Sequence, residues 1–141
     1  MLAEDQLDLL SAALRHQLDA ERLLADSPDQ SWHLAGFAAG CARKSCLTVE
    51  PFRVALGHEH GADADRLLDV ILALDGRAQR LPLRGWAPPG SKLAAWSEAH
   101  RYDRRGGHAA EAGDLVRECA WRHDSVLLAL WLHADVDLEV L

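Results

Sequence analysis

Apolar side chains at Ala3, Leu7, Leu10, Leu14 and Leu18 recur at steps of three and four, which sets them on one face of a helix over residues 2 to 26. Ser27, Pro28, Asp29 and Gln30 then read as an N-cap, a first-turn proline and a capping-box glutamine. They open a second helix that runs to about Leu47 with almost no charge before Arg43. Gly36 and Gly40 stand four apart in it among Ala35, Ala39 and Ala42, so one side carries little bulk and another element can approach closely. Packing within the monomer is the expectation, with a dimer seam as the alternative. Residues 48 to 62 weaken to a connection with at most one helical turn. Asp63 or Asp65 can cap a third helix carrying Leu67, Leu68, Ile71, Leu72 and Leu74, ending near Gly76. Residues 80 to 91, with Pro82, Gly85, Pro88, Pro89 and Gly90, read as a rigid loop. Ser91 caps a short helix to about His100 with Leu93 and Trp96 inward. After Gly106 and Gly107 a last helix begins and runs to about Ala134, with Leu115, Cys119, Val126, Leu127, Leu130 and Trp131 as its core positions.

Composition narrows the fold class. The chain of 141 residues has 24 Ala and 25 Leu against 7 Val, 1 Ile and 1 Thr, which favours helix over strand. One all-α domain over residues 1 to 141, an up-and-down bundle of four to five helices, is the expected fold. No stretch is long and apolar enough to cross a membrane, and the first residues, Met1 to Asp5, lack a signal peptide's basic start, so a cytoplasmic location is expected. Cys41, Cys46 and Cys119 lie in apolar helical pattern and read as reduced core thiols.

The net charge of -7 argues against general adhesion to nucleic acid or an anionic membrane. The charge is segregated, however. Residues 76 to 105 carry seven basic groups (Arg77, Arg80, Arg84, Lys92, Arg101, Arg104, Arg105) against Glu98 and Asp103, a net of +5 between two acidic flanks. Within this segment and just beyond it run His100, Arg101, Tyr102, Asp103, Arg104, Arg105, Gly106, Gly107 and His108. A helix starting near Gly107 would add its free N–H groups and dipole to the arginines, which describes a phosphate site. His108 can carry a proton to or from a ribose hydroxyl while Arg101 or Arg104 neutralises the phosphate, with no metal or other cofactor needed. The rival reading folds Arg101 inward onto a carboxylate, packs Tyr102 on Trp96 and leaves His108 as an exposed first-turn residue. His58, Glu59 and His60 offer metal-ligand types, but alternate residues do not share a helix face and no spaced pair completes the set. His33 and His123 read as core or interface histidines, and the five tryptophans mostly sit at core-compatible positions, with Trp86 in the proline-rich loop the one candidate for a base-stacking platform.

The small-residue run from Trp32 to Lys44, the pair Arg101 and Tyr102 preceded by Trp96, and the order of helices resemble the HEPN domain family over roughly residues 3 to 134. The resemblance implies a helical bundle that pairs as a homodimer. It also implies, for many members, a metal-independent endoribonuclease whose Arg and His act from both subunits in one cleft. Arg101 and His108 have the wider spacing that such pairs allow, whereas Tyr102 stands where active members commonly have a small polar residue. The expectation is an RNA-directed protein, an endoribonuclease of a toxin or defence system. Arg101 and His108 would be catalytic, and Arg104, Arg105, Tyr102 and Gly107 would hold the RNA phosphates. A cognate antitoxin or other protein partner belongs to this picture. The alternative is a non-catalytic helical module that binds a protein or a nucleotide, in which Arg101 would be buried and paired.

Overall fold

A computed structural model describes residues 2–134. Six helices follow in order, α1 (Glu4–Leu23), α2 (Pro28–Ser45), α3 (Glu50–Leu56), α4 (Ala62–Leu74), α5 (Lys92–Ala95) and α6 (Ala112–Ala134). Single 3₁₀ turns occur at Ala78–Arg80 and Glu98–Tyr102, and there is no strand among the described residues. The segment expected as a mere connection contains α3, started by Pro51 in its first turn and stopped by Gly57 at φ +58°.

Long-range hydrogen bonds set the direction of the three long helices. Gln6 near the start of α1 donates to the Ser45 carbonyl at the end of α2, while Ser31 near the start of α2 donates to the Ala20 carbonyl. These two helices are therefore antiparallel. Gln17 donates to the Val116 carbonyl in the first turns of α6, and Leu2 and Gln6 share a cavity wall with Leu130 and His133 at its other end. Thus α6 is antiparallel to α1 and runs in the direction of α2, and residues 46–111 form the crossover between them.

The buried stripe of α1 is Gln6, Leu10, Ala13, Gln17 and Ala20. Leu18, assigned to the core face by its period, is 40% exposed. Small residues let the neighbouring helices come close, and the two glutamines are tolerated because each amide finds a backbone carbonyl. Trp32, Trp86 and Trp96 are buried, whereas Trp121 and Trp131 on α6 are 60% and 52% exposed. Two expectations are thereby corrected. Trp86 lies in the core because the proline-rich loop folds back on the bundle, where the Arg122 guanidinium covers its ring at 5.4 Å. Trp131 leaves the core because the inner face of α6 is already filled by Val126 and Leu130.

Of the two glycines of α2, Gly36 is required by packing within the chain, whereas Gly40 has room for a Cβ. A Cβ on Gly36 would lie 2.0 Å from the Trp96 ring, and one on Gly40 would meet the His60 ring at 3.8 Å. Arg43 is wholly buried and donates to the Glu59 carbonyl at 2.8 Å. Burial pulls its guanidinium down to about 10, against the opposing attraction of Asp65. Neither Asp63 nor Asp65 caps α4. Gly61, at φ +101°, begins it, and the Asp65 carboxylate accepts instead from the Ala87 N–H. Cys46 and Cys119 are buried free thiols, and desolvation raises both, Cys46 to about 12.

Candidate phosphate-binding site

The short helix α5 and the 3₁₀ turn after it place the site. Ser91 caps α5 by accepting from the Ala94 N–H, and Leu93 and Trp96 point inward as their spacing predicts. The Trp96 indole, wedged against Gly36, donates to the Trp32 carbonyl at 3.1 Å. Its position fixes where the next turn, Glu98–Tyr102, emerges beside the first turn of α2.

That turn is built around His100. Its Nδ1 accepts from the Ser97 N–H and from the Trp32 indole N–H, both at 3.2 Å. The His108 ring stacks on Trp32 at 4.7 Å between centroids and 11° between planes, and lies 4.5 Å from the His100 ring. Asp103 Oδ2 is 2.7 Å from His108 Nε2. A carboxylate can only accept, so Nε2 carries the hydrogen and Nδ1 is left as the ring's basic nitrogen.

A small polar cavity of about 100 Å³ opens here, lined by Asp29, Gln30, His33, His100, Arg101, Asp103, Arg104 and His108. The structure therefore brings Arg101, Arg104 and His108 together. The Arg101 side chain is 49% exposed, with Glu98 at 3.5 Å and its guanidinium 4.8 Å from the Tyr102 ring centre. Its exposure overturns the reading in which it folds inward. Tyr102 is 77% exposed and is not packed on Trp96. Tyr102, Arg105 and Gly107 do not line the cavity.

The expected helix start is also corrected. α6 begins at Ala112, because Gly106 takes the left-handed conformation at φ +83° and the chain passes through turns before the helix sets in. Gly107 donates to the Arg104 carbonyl at 3.0 Å, so its N–H is not free for a ligand. The N–H groups of Gly106 and His108 converge on an anion, but that anion is the Asp29 carboxylate, with His108 N at 3.1 Å from Oδ1 and Gly106 bonded to Oδ2. These two bonds hold Asp29 below the usual carboxylate range. The Ser27 hydroxyl makes no cap bond, so the expected capping box does not close, and Asp29 looks outward to the loop instead of along its own helix.

Asp29, Asp103 and His100 are cavity positions that the sequence pattern passed over. Asp29 resembles any first-turn acid of a helix, and nothing local shows that a loop 77 residues later folds onto it. The signal for Asp103 was its place five residues before His108. His58 and His60 do not form a ligand pair. His60 is buried with Nε2 3.1 Å from the Gly36 carbonyl, and burial lowers it well below the ordinary histidine range, while His58 is exposed and packs edge-on to Phe37.

His100, Asp103 and His108 do bring ligand-type atoms within 4.8 Å of one another. Two imidazoles and a carboxylate suit a transition metal in kind. The hydrogen bonds oppose it. A metal on His100 Nε2 would require the hydrogen on Nδ1, where two N–H groups already point. The cluster fits a proton-carrying site better than a metal centre. No family model, curated protein or solved structure matches the chain.

Proposed function

We propose that the chain is an RNA-directed, HEPN-like protein whose cavity beside α2 takes a backbone phosphate and cleaves the strand without a metal, as half of a homodimer. The observation that carries this reading is the convergence of Arg101, Arg104 and an Asp103-oriented His108 on one cavity. Arg101 and Arg104 neutralise the phosphate oxygens. His108 Nδ1 takes the proton of a ribose 2′-hydroxyl, whose oxygen attacks phosphorus. The bond from phosphorus to the 5′-oxygen of the next nucleotide breaks and that oxygen takes a proton from water, giving a 2′,3′-cyclic phosphate and a 5′-hydroxyl. Asp103 holds the ring and offsets the charge that His108 gains, as a carboxylate does for any general-base histidine.

Both carboxylates in the cavity are engaged by donors of the protein itself, Asp29 by backbone N–H groups and Asp103 by His108. Arg101, whose guanidinium also pairs with Glu98 at 3.5 Å, and Arg104 are the cations that face an incoming anion. The exposure of Arg101 supports this reading over a passive module, in which that residue would be buried. A second copy has an apolar surface to cover in Trp121, Leu128, Trp131 and Leu132 on α6.

The test is incubation of the full chain with structured RNA in excess chelator, with His108→Ala and Arg101→Ala beside it. Cleavage by the wild type alone is expected. No cleavage by any of the three, or equal cleavage by all, overturns the catalytic reading.

A further inference from the structure

Building on the phosphate reading above, we infer that His100 is a third ligand of the bound phosphate, acting as a fixed neutral-type N–H donor from Nε2. The sequence pattern gave this residue no role, and its chemistry differs from that of His108 despite the contact between the two rings.

The difference comes from what surrounds each Nδ1. At His100 that nitrogen accepts two N–H bonds, one from the Ser97 backbone and one from the Trp32 indole, each at 3.2 Å. With two hydrogens already directed at it, Nδ1 holds a lone pair and the ring's own hydrogen sits on Nε2. At His108 it is Nε2 that donates, to Asp103 at 2.7 Å, and Nδ1 is the nitrogen left over. The rings lie 4.5 Å apart at a tilt of 34°, a face contact in which neither satisfies the other by an in-plane hydrogen bond. One histidine of the pair therefore offers a base and the other a donor, and both line the same cavity with Arg101 and Arg104.

The size of that cavity sets the class of ligand. About 100 Å³ is space for one phosphoryl group with its oxygens, and is far below the several hundred Å³ of pockets that enclose drug-sized ligands. The cavity thus has room for a phosphate and not for a base. A fixed N–H donor on one phosphate oxygen, with arginines on the others, lets His100 stabilise the charge without exchanging its proton. Trp32 is the positioning residue: its indole N–H holds His100 Nδ1 while its ring face carries His108.

The test uses the full chain with ¹⁵N-labelled histidine and arginine, titrated by NMR with inorganic phosphate and with uridine 3′-monophosphate. His100 is expected as the Nε2–H tautomer, its Nε2 signal moving together with the side-chain signals of Arg101 and Arg104. His100→Asn is expected to weaken phosphate binding by about tenfold while leaving the thermal midpoint near wild type, the size of one hydrogen bond to a charged group. Trp32→Phe, which keeps a ring under His108 but removes the indole donor, is expected to let the His100 tautomer mix. Movement of the arginine signals with His100 silent, or a His100 hydrogen on Nδ1, overturns the role of His100 and leaves the phosphate site standing. Silence from His100 and both arginines overturns the phosphate reading together with it.

Discussion

Gly36 and Gly40 are separated by one helical turn and look equivalent in sequence, yet alanine should destabilise the protein at the first and not at the second. A Cβ at Gly36 falls 2.0 Å from Trp96 Cε2 and 2.2 Å from Cδ2, so the indole must move by more than an ångström to reach ordinary contact. Trp96 is 1% exposed, is hydrogen-bonded to the Trp32 carbonyl and lies edge-on to Phe37 and His60 at 5.3 and 5.6 Å, so it has nowhere to go. Overpacking of this kind costs about 1 to 3 kcal/mol, and loss of the indole bond adds about 1 kcal/mol. The helical preference of Ala over Gly returns about 1 kcal/mol. Gly36→Ala should therefore destabilise the protein by about 1 to 3 kcal/mol. At Gly40 the nearest atoms are those of the His60 ring at 3.8 Å, an ordinary contact. Gly40→Ala should be neutral or stabilising by up to about 1 kcal/mol. Urea unfolding of both variants, followed by tryptophan fluorescence, reads the two midpoints. A Gly36→Ala protein as stable as the wild type would refute the packing argument, and a change in its association state at unchanged stability would return this face of α2 to a dimer seam.

Burial lowers His60 well below 6.5 in the folded chain, so the unfolded chain binds the extra proton first. That contribution to stability is complete above about pH 6.5 and is lost as the pH falls below it; His60→Gln should flatten the slope of midpoint against pH, and an unchanged slope would place its origin elsewhere. Asp29 follows the same sign at lower pH, its contribution present above the ordinary carboxylate value and lost as the pH falls through the depressed one. Asp29→Ala should speed hydrogen exchange at the Gly106 and His108 amides, and unaltered protection would mean that the loop is held by something other than that carboxylate. Cys46 and Cys119 should resist a thiol reagent at neutral pH until the chain unfolds, since both are buried and raised by desolvation. Trp131→Glu should leave the monomer fold intact because that ring is half exposed, and should shift sedimentation toward the monomer if the outer face of α6 meets a second copy.

The helices were legible where one face is filled by ordinary packing. Leu93 and Trp96 could be placed inward, and Ser91 recognised as a cap, because each rule concerns residues three or four apart. The stripe of α1 was read correctly at Leu10 but drifted to the edge of the buried face by Leu18, since leucines outweigh glutamines in any hydrophobic count, although Gln6 and Gln17 are the ones that find partners inside. The start of α6 was misplaced for a related reason. Gly106 and Gly107 mark a break equally well before a helix or within a loop, and the choice was made by Asp29, remote in sequence. The site shows the same division. The cluster of charge led to Arg101, Arg104 and His108, which share a cavity. The roles of Asp103 and His100 depend on which ring nitrogen faces which donor, and only the folded arrangement supplies that.

In the proposed reaction His108 removes a proton from a ribose hydroxyl at a phosphate held by Arg101 and Arg104. Mass analysis of the fragments released in chelator from an oligoribonucleotide, and from the same strand with 2′-deoxyribose at the cut site, tests it most directly. Expected are 2′,3′-cyclic phosphate and 5′-hydroxyl ends from the ribose strand, no cut at the deoxyribose, and neither product from His108→Ala. Fragments with 5′-phosphate ends, cleavage of the deoxyribose strand, or an intact ribose strand would contradict it.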